Sequence, residues 1–100
     1  MAFLGEVVSG RVRRSANVVS RVVADEAIVV PIRRGAADLD SIYTFNETGT
    51  KLWSLIEKGL EPAALIFHLQ AQYGLSAEQA TLDAESFLKE LADEGLVEPA

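Results

Sequence analysis

Residues 41–56 read SIYTFNETGTKLWSLI, and the spacing of apolar side chains changes inside this stretch. Ile42, Tyr43, Thr44 and Phe45 form an alternating run, whereas Leu52, Trp53 and Ile56 recur three and four positions apart after Asn46. Alternation lines the two faces of a strand, and three-to-four spacing lines one face of a helix. A strand therefore passes into a helix with almost no loop. Asn46 sits at the switch, where its side-chain oxygen can accept from an unpaired N–H of the first turn. Glu47 follows at a position where negative charge suits the helix dipole.

Upstream of this junction the chain reads as sheet. Residues 18–23 (VVSRVV) and 27–32 (AIVVPI) are rich in β-branched side chains, and Asp25-Glu26 between them predicts a tight hairpin. Proline cannot donate to a ladder, so pairing of the second strand is expected to fail near Pro31. Residues 42–45 make the third strand. The connection before it, residues 33–40, contains Gly35, two Ala and two Asp and reads as an exposed, mobile loop. Residues 1–12 show no secure periodicity and are expected to form a loose arm.

Downstream the chain reads as three helices. The first runs over 47–58 and stops at Gly59, with Gly49 on its apolar side allowing close approach of a neighbour. The second starts at Pro62, where a missing N–H costs nothing, buries some of Leu65, Ile66, Leu69 and Tyr73, and ends at Gly74. In the third, Ser76 and Gln79 have capping-box spacing. Its core face is Ala77, Ala80, Ala84, Phe87, Leu88 and Leu91. Gly95 terminates it, with Leu96 folding back on Leu91 in a Schellman turn. Leu96 and Val97 then either add a short strand or simply pack. These elements predict an α+β domain, winged helix-turn-helix-like, with a three-stranded antiparallel sheet followed by three helices.

The 100-residue chain carries a net charge of −6, unevenly distributed. Up to Arg34 six Arg face three carboxylates; from Gly35 onward three Lys face twelve. Such polarity can steer a charged partner. With no Cys there is neither a disulfide framework nor a thiol nucleophile, which favours a reducing, cytoplasmic setting. The apolar runs fall short of the roughly 20 residues of a spanning helix, and the start lacks the features of a signal peptide. No membrane association is expected.

Catalytic chemistry is poorly supplied. His68 is the sole His, and no carboxylates stand at ligand spacing around it, so no metal site is expected. No Ser lies in a G-x-S-x-G elbow, and the Gly residues are scattered at turns instead of forming a phosphate loop. No cofactor is implied. A helix-turn-helix raises DNA binding, but the third helix carries Glu78, Asp83, Glu85, Glu90, Asp93 and Glu94 against Lys89 alone. Phosphate would repel such a reading helix. The outer edge of the third strand, in contrast, is a template for an added strand. Leu82 lies off the core stripe, on a face with Gln79, Ser86 and Lys89, where it can line a groove beside that strand.

The runs RSANVVSRVVADEA (14–27), YTFNETGTKLWSLIEKG (43–59) and AEQATLDAESFLKELADEGLVE (77–98) together resemble the PqqD family, and the resemblance implies a domain over residues 13–98. Its most specific mark is the order Phe45-Asn46-Glu47-Thr48-Gly49 followed by Trp53, supported by Phe87-Leu88 and Leu91 before Gly95-Leu96. These proteins are peptide chaperones of pyrroloquinoline quinone biosynthesis. They are also the prototype of the recognition element for ribosomally made, post-translationally modified peptides (RiPPs). The resemblance implies a winged-helix-like fold and a noncatalytic role. The leader of a precursor peptide would be captured and delivered to a modifying enzyme, often a radical SAM protein. It implies that the leader adds to the third strand through Ile42, Tyr43 and Thr44 and lies against Gln79, Leu82, Asp83 and Ser86. It assigns Phe45, Trp53, Phe87 and Leu91 to the core. The alternatives are a winged-helix DNA-binding protein and a scaffold that forms a homodimer through the exposed strand edge.

Overall fold

A computed structural model describes residues 12–33, 35–37, 41–59 and 61–99. The stretch expected to be a loose arm lies outside these residues except for Val12. That residue is 1% exposed and opens strand β1 (Val12–Arg14).

Strands β2 (Val18–Val23) and β3 (Glu26–Arg33) form a regular antiparallel hairpin from Val23↔Glu26 to Val18↔Pro31. Its turn is Ala24-Asp25, one residue earlier than the sequence indicates. Both residues have positive φ, +52° and +66°. That geometry matches the twist of two-residue hairpins, and the register it sets leaves Glu26 in the ladder.

Pairing does not fail at Pro31, because Ile32 N–H still donates to Asn17 C=O at 2.7 Å. Backbone groups alternate in direction along a strand. Those of Ile28, Val30 and Ile32 face β2, so the nitrogen of Pro31 faces the other way. On that side β3 pairs with two short segments. Strand β4 (Ala36–Ala37) pairs at Ile32 and Arg33, and strand β5 (Tyr43–Thr44) pairs at Ile28 and Val29. The missing donor falls between them and costs no ladder bond among the described residues. The connection expected to be a mobile loop thus contains β4, turned back on β3. Its residues 38–40 lie outside the described set.

Helix α1 (Glu47–Glu57) is capped as the junction predicts, with Gly49 N–H donating to Asn46 Oδ1 at 2.9 Å. Helix α2 (Pro62–Tyr73) buries Pro62, Leu65 and Leu69 but leaves Tyr73 exposed. The Tyr73 hydroxyl instead pairs with Thr48 Oγ1 at 2.6 Å. Helix α3 (Ala77–Asp93) is capped by Ser76 Oγ, which accepts from Gln79 N–H at 3.0 Å. The reciprocal half of the box does not form, because the Gln79 amide donates to Asp83 Oδ1 at 2.7 Å. At its other end Leu96 N–H reaches Leu91 C=O and Gly95 N–H reaches Ala92 C=O, the two bonds of a Schellman turn, with Gly95 at φ +72°. Strand β6 (Val97–Pro99) then pairs with β1 in a separate two-stranded sheet. The α+β class and three helices are as predicted, with six short strands among the described residues in place of three.

The helices cover one face of the larger sheet. Trp53, Ile56, Leu65, Leu88, Leu96, Val12 and Val29 are the largest fully buried side chains. Burial of each contributes about 1.5–3 kcal/mol. Ala77, expected on the core face, is exposed because it occupies the first turn of α3. Thr50 fastens the sheet to α1. Its hydroxyl accepts from Ala27 N–H at 2.7 Å and donates to Phe45 C=O at 3.3 Å, while Phe45 N–H donates to Ala27 C=O at 2.9 Å.

Candidate functional site: the β5 edge and the wall of α3

Val29 and Tyr43 face each other in the ladder, and Phe45 N–H bonds to Ala27. By alternation, the N–H and C=O of Thr44 turn away from β3. Among the described residues no strand pairs with that outer side. The C-terminal segment, which could have covered it, pairs with β1 instead. Side chains alternate as the sequence predicts: Tyr43 and Phe45 pack half-buried against the core, and Ile42 and Thr44 are exposed.

Two adjoining hollows separate this strand from α3. The first, about 350 Å³, lies between Thr44, Phe45, Gly49, Asp83, Phe87 and Glu90. The second, about 330 Å³, lies between Tyr43, Phe45, Glu90, Leu91, Glu94 and Leu96. Phe45 and Glu90 belong to both. The Phe45 ring meets Phe87 edge-on at 5.7 Å and Trp53 at 5.8 Å. Phe45 can lie this low because residue 49 is Gly. A Cβ there would stand 3.1 Å from Phe45 Cβ, tighter than ordinary contact.

The electrostatics of the wall are negative. Tyr43 O–H donates to the Glu94 carboxylate, and that bond, with some desolvation, holds the phenol above its ordinary pKa. Asp83 accepts from Gln79, and Asp93 accepts from Lys89 at 2.8 Å. The Glu90 carboxylate makes no hydrogen bond or ion pair among the described residues.

Of the residues singled out from sequence, Tyr43, Thr44 and Asp83 line these hollows. Ile42, Gln79, Leu82 and Ser86 are exposed and line neither. Phe45 and Phe87, assigned to the core, are only half-buried and form the floor; Trp53 and Leu91 are core as expected. Glu90 and Glu94 were not singled out for the site. The signal for them is the four-three-four spacing of Asp83, Phe87, Glu90 and Glu94, a single helical stripe through an aromatic residue.

A larger hollow, about 500 Å³, lies by the β2–β3 turn among Val22, Asp25, Glu47, Lys51, His68 and Tyr73. It adjoins β2, on the side of the sheet away from β5, through Val22. His68 meets Tyr73 edge-on at 6.5 Å, and no group of metal-binding side chains occurs among the described residues.

The family model described as coenzyme PQQ synthesis protein D (PqqD) matches residues 26–97. The chain belongs to the PqqD family. The matched PqqD region begins in β3 and takes in β5, all three helices and the start of β6, so both sides of the groove fall inside it. Among solved structures, the chain is similar to TbiB1 in complex with the TbiA(beta) leader peptide. Identity is 26% over 88% of this chain and 96% of that one, with a TM-score of 0.77. The lasso peptide synthetase B1 complexed with the leader peptide shares the fold at 17% identity, over 88% and 98%, with a TM-score of 0.74. No curated protein matches the chain.

Proposed function

We propose that this PqqD-family domain captures the leader segment of a ribosomally made precursor peptide as a strand added to β5, and presents it to a separate modifying enzyme. The observation that carries the reading is the outward-facing backbone of Thr44 beside two apolar-floored hollows. Both structural relatives named above are complexes with leader peptides, which supports it. The domain would perform no chemistry; the enzyme, such as a radical SAM protein, would do so. Among the described residues no helix is long and apolar enough to cross a membrane.

Each added backbone bond contributes about 0.5–1.5 kcal/mol net. Ordering a flexible leader costs about 2–5 kcal/mol, so a Kd on the micromolar scale is expected. Ile42, Tyr43 and Thr44 would pair with the leader. Asp83, with Phe87 and Glu90, would form the near wall, and Gln79, Leu82 and Ser86 its outer margin. Peptides encoded by short reading frames beside the gene, titrated into labelled protein and followed by NMR, test this. The expected result is shifts concentrated at Ile42–Thr44 and from Asp83 to Glu90. Saturable binding that leaves the β5 amides unmoved would remove strand addition. Salt-dependent duplex binding would instead favour a winged-helix DNA reader, which the acidic α3 opposes.

A further inference from the structure

The two hollows beside β5 combine apolar floors with carboxylate rims, and that combination selects among side chains. Phe45 and Phe87 floor the first, and Leu91 and Leu96 the second. Asp83 and Glu94 stand at their far ends, and Glu90 stands between them, its carboxylate making no hydrogen bond or ion pair among the described residues. Lys89 is held by Asp93, a further carboxylate of the second hollow.

A strand added to β5 directs every second residue to the same face, about 7 Å apart, which suits two adjoining hollows. A purely apolar side chain there would cover the floor but strip water from Glu90 without replacing it, and an acidic one would be repelled. Lys and Arg answer both demands, since their methylene stems cover apolar surface while the charged end reaches a polar rim.

Resting on the reading of β5 as a leader-capturing edge, we propose that the captured segment is cationic, with Lys or Arg at two alternate positions. One stem lies over Phe45 and Phe87 with its charge between Asp83 and Glu90; the other lies over Leu91 and Leu96 with its charge between Glu90 and Glu94. The leader is thereby chosen by charge at a two-residue spacing as well as by its capacity to form a strand.

A random displayed-peptide library selected on the full chain, on Glu90→Gln and on Thr44→Pro tests this. Glu90 is exposed and the amide keeps its shape, so folding is not at stake; circular dichroism checks Thr44→Pro. The wild-type chain is expected to enrich Lys or Arg at alternate positions. Glu90→Gln should lose that preference while still enriching strand formers. A synthetic peptide of an enriched sequence should bind Glu90→Gln about three- to fivefold more weakly, with the difference vanishing at high salt. Enriched peptides that need the Thr44 N–H but carry no alternating cations would overturn the proposal and leave strand capture standing. Basic peptides indifferent to Glu90→Gln would overturn the assignment of the rim. Peptides bound equally well by a folded Thr44→Pro variant would overturn strand capture, and the charge selection with it.

Discussion

The larger sheet has β2 on one side and β4 and β5 on the other, and the β2 and β5 edges are finished differently. Strand β2 is six residues long with a continuous register, whereas β5 has two paired residues. By length alone β2 is the better template. Its outward carbonyl at Val18, however, already accepts from Arg14 Nη2 at 2.7 Å. The same guanidinium bonds to Glu57 at 2.7 Å, and Ser20 Oγ donates to that carboxylate at 2.8 Å. An incoming strand would have to displace this knot. A charged side chain laid across an edge is a common defence against unwanted pairing. At β5 the outward groups of Thr44 meet no such cover among the described residues, and α3 supplies a wall with hollows. Availability of an edge is thus decided by the side chains around it more than by strand length.

The comparison breaks most sharply with proline. Outward-facing N–H groups lie at Thr44 on β5 and at Val22 on β2, so proline at either removes a donor that the fold does not use in a ladder. Thr44→Pro is expected to weaken capture of a leader peptide by roughly a hundredfold, through a lost bond and an obstructed neighbour. Val22→Pro should leave it unchanged. Fluorescence anisotropy with one labelled peptide measures both, and equal losses would mean that β5 is not the reading edge.

The next effect is on stability. Thr50→Val keeps the shape of the side chain but leaves the wholly buried Ala27 without its N–H acceptor. A cost of about 1–3 kcal/mol in urea unfolding is expected. Binding should weaken as well, because Phe45 C=O loses the same hydroxyl.

A smaller change is expected at the covered edge. Arg14→Ala uncovers Val18 C=O and removes a partly exposed ion pair with Glu57. Stability should fall by about 1 kcal/mol, and the mass in solution should become concentration-dependent as β2 edges meet. Light scattering that shows no self-association would mean that Arg14 does not guard this edge.

The smallest is a pH effect beside β5. The Tyr43 phenol donates to Glu94 and its pKa is raised in the folded state, so its neutral form is the one favoured by folding. The contribution is full below the ordinary tyrosine pKa and disappears as pH rises through the raised value. Tyr43→Phe should flatten that alkaline part of the stability profile; an unchanged slope would show that the bond adds nothing.

Much of this fold is legible in the sequence wherever a local device has a local signature. Asn46, Ser76, Gly95 and Leu96 mark boundaries through bonds made within a few residues, Pro62 through its missing donor, and each is found there. Features that depend on distant chain are harder to read. Strand β4 consists of two alanines, and β1 and β6 need each other from opposite ends of the chain. Pro31 misleads because its effect depends on which side of β3 its nitrogen faces. In the groove, Phe87 keeps helical core spacing and Phe45 strand alternation. Spacing gives the face a side chain shares, not how far a neighbouring element covers it, and here neither β5 nor α3 fully covers the other's ring.

The bond from Ala27 to Thr50 has a consequence for measurement. This amide sits mid-protein, yet it is held by a hydroxyl on α1 instead of a neighbouring strand. Its deuterium uptake would therefore time the parting of strand and helix, independently of the unzipping of the sheet. If a captured peptide clamps β5 against α3, Ala27 should exchange more slowly while the far hairpin keeps its pace, so that one buried proton works as a clock for occupancy of a surface it never touches.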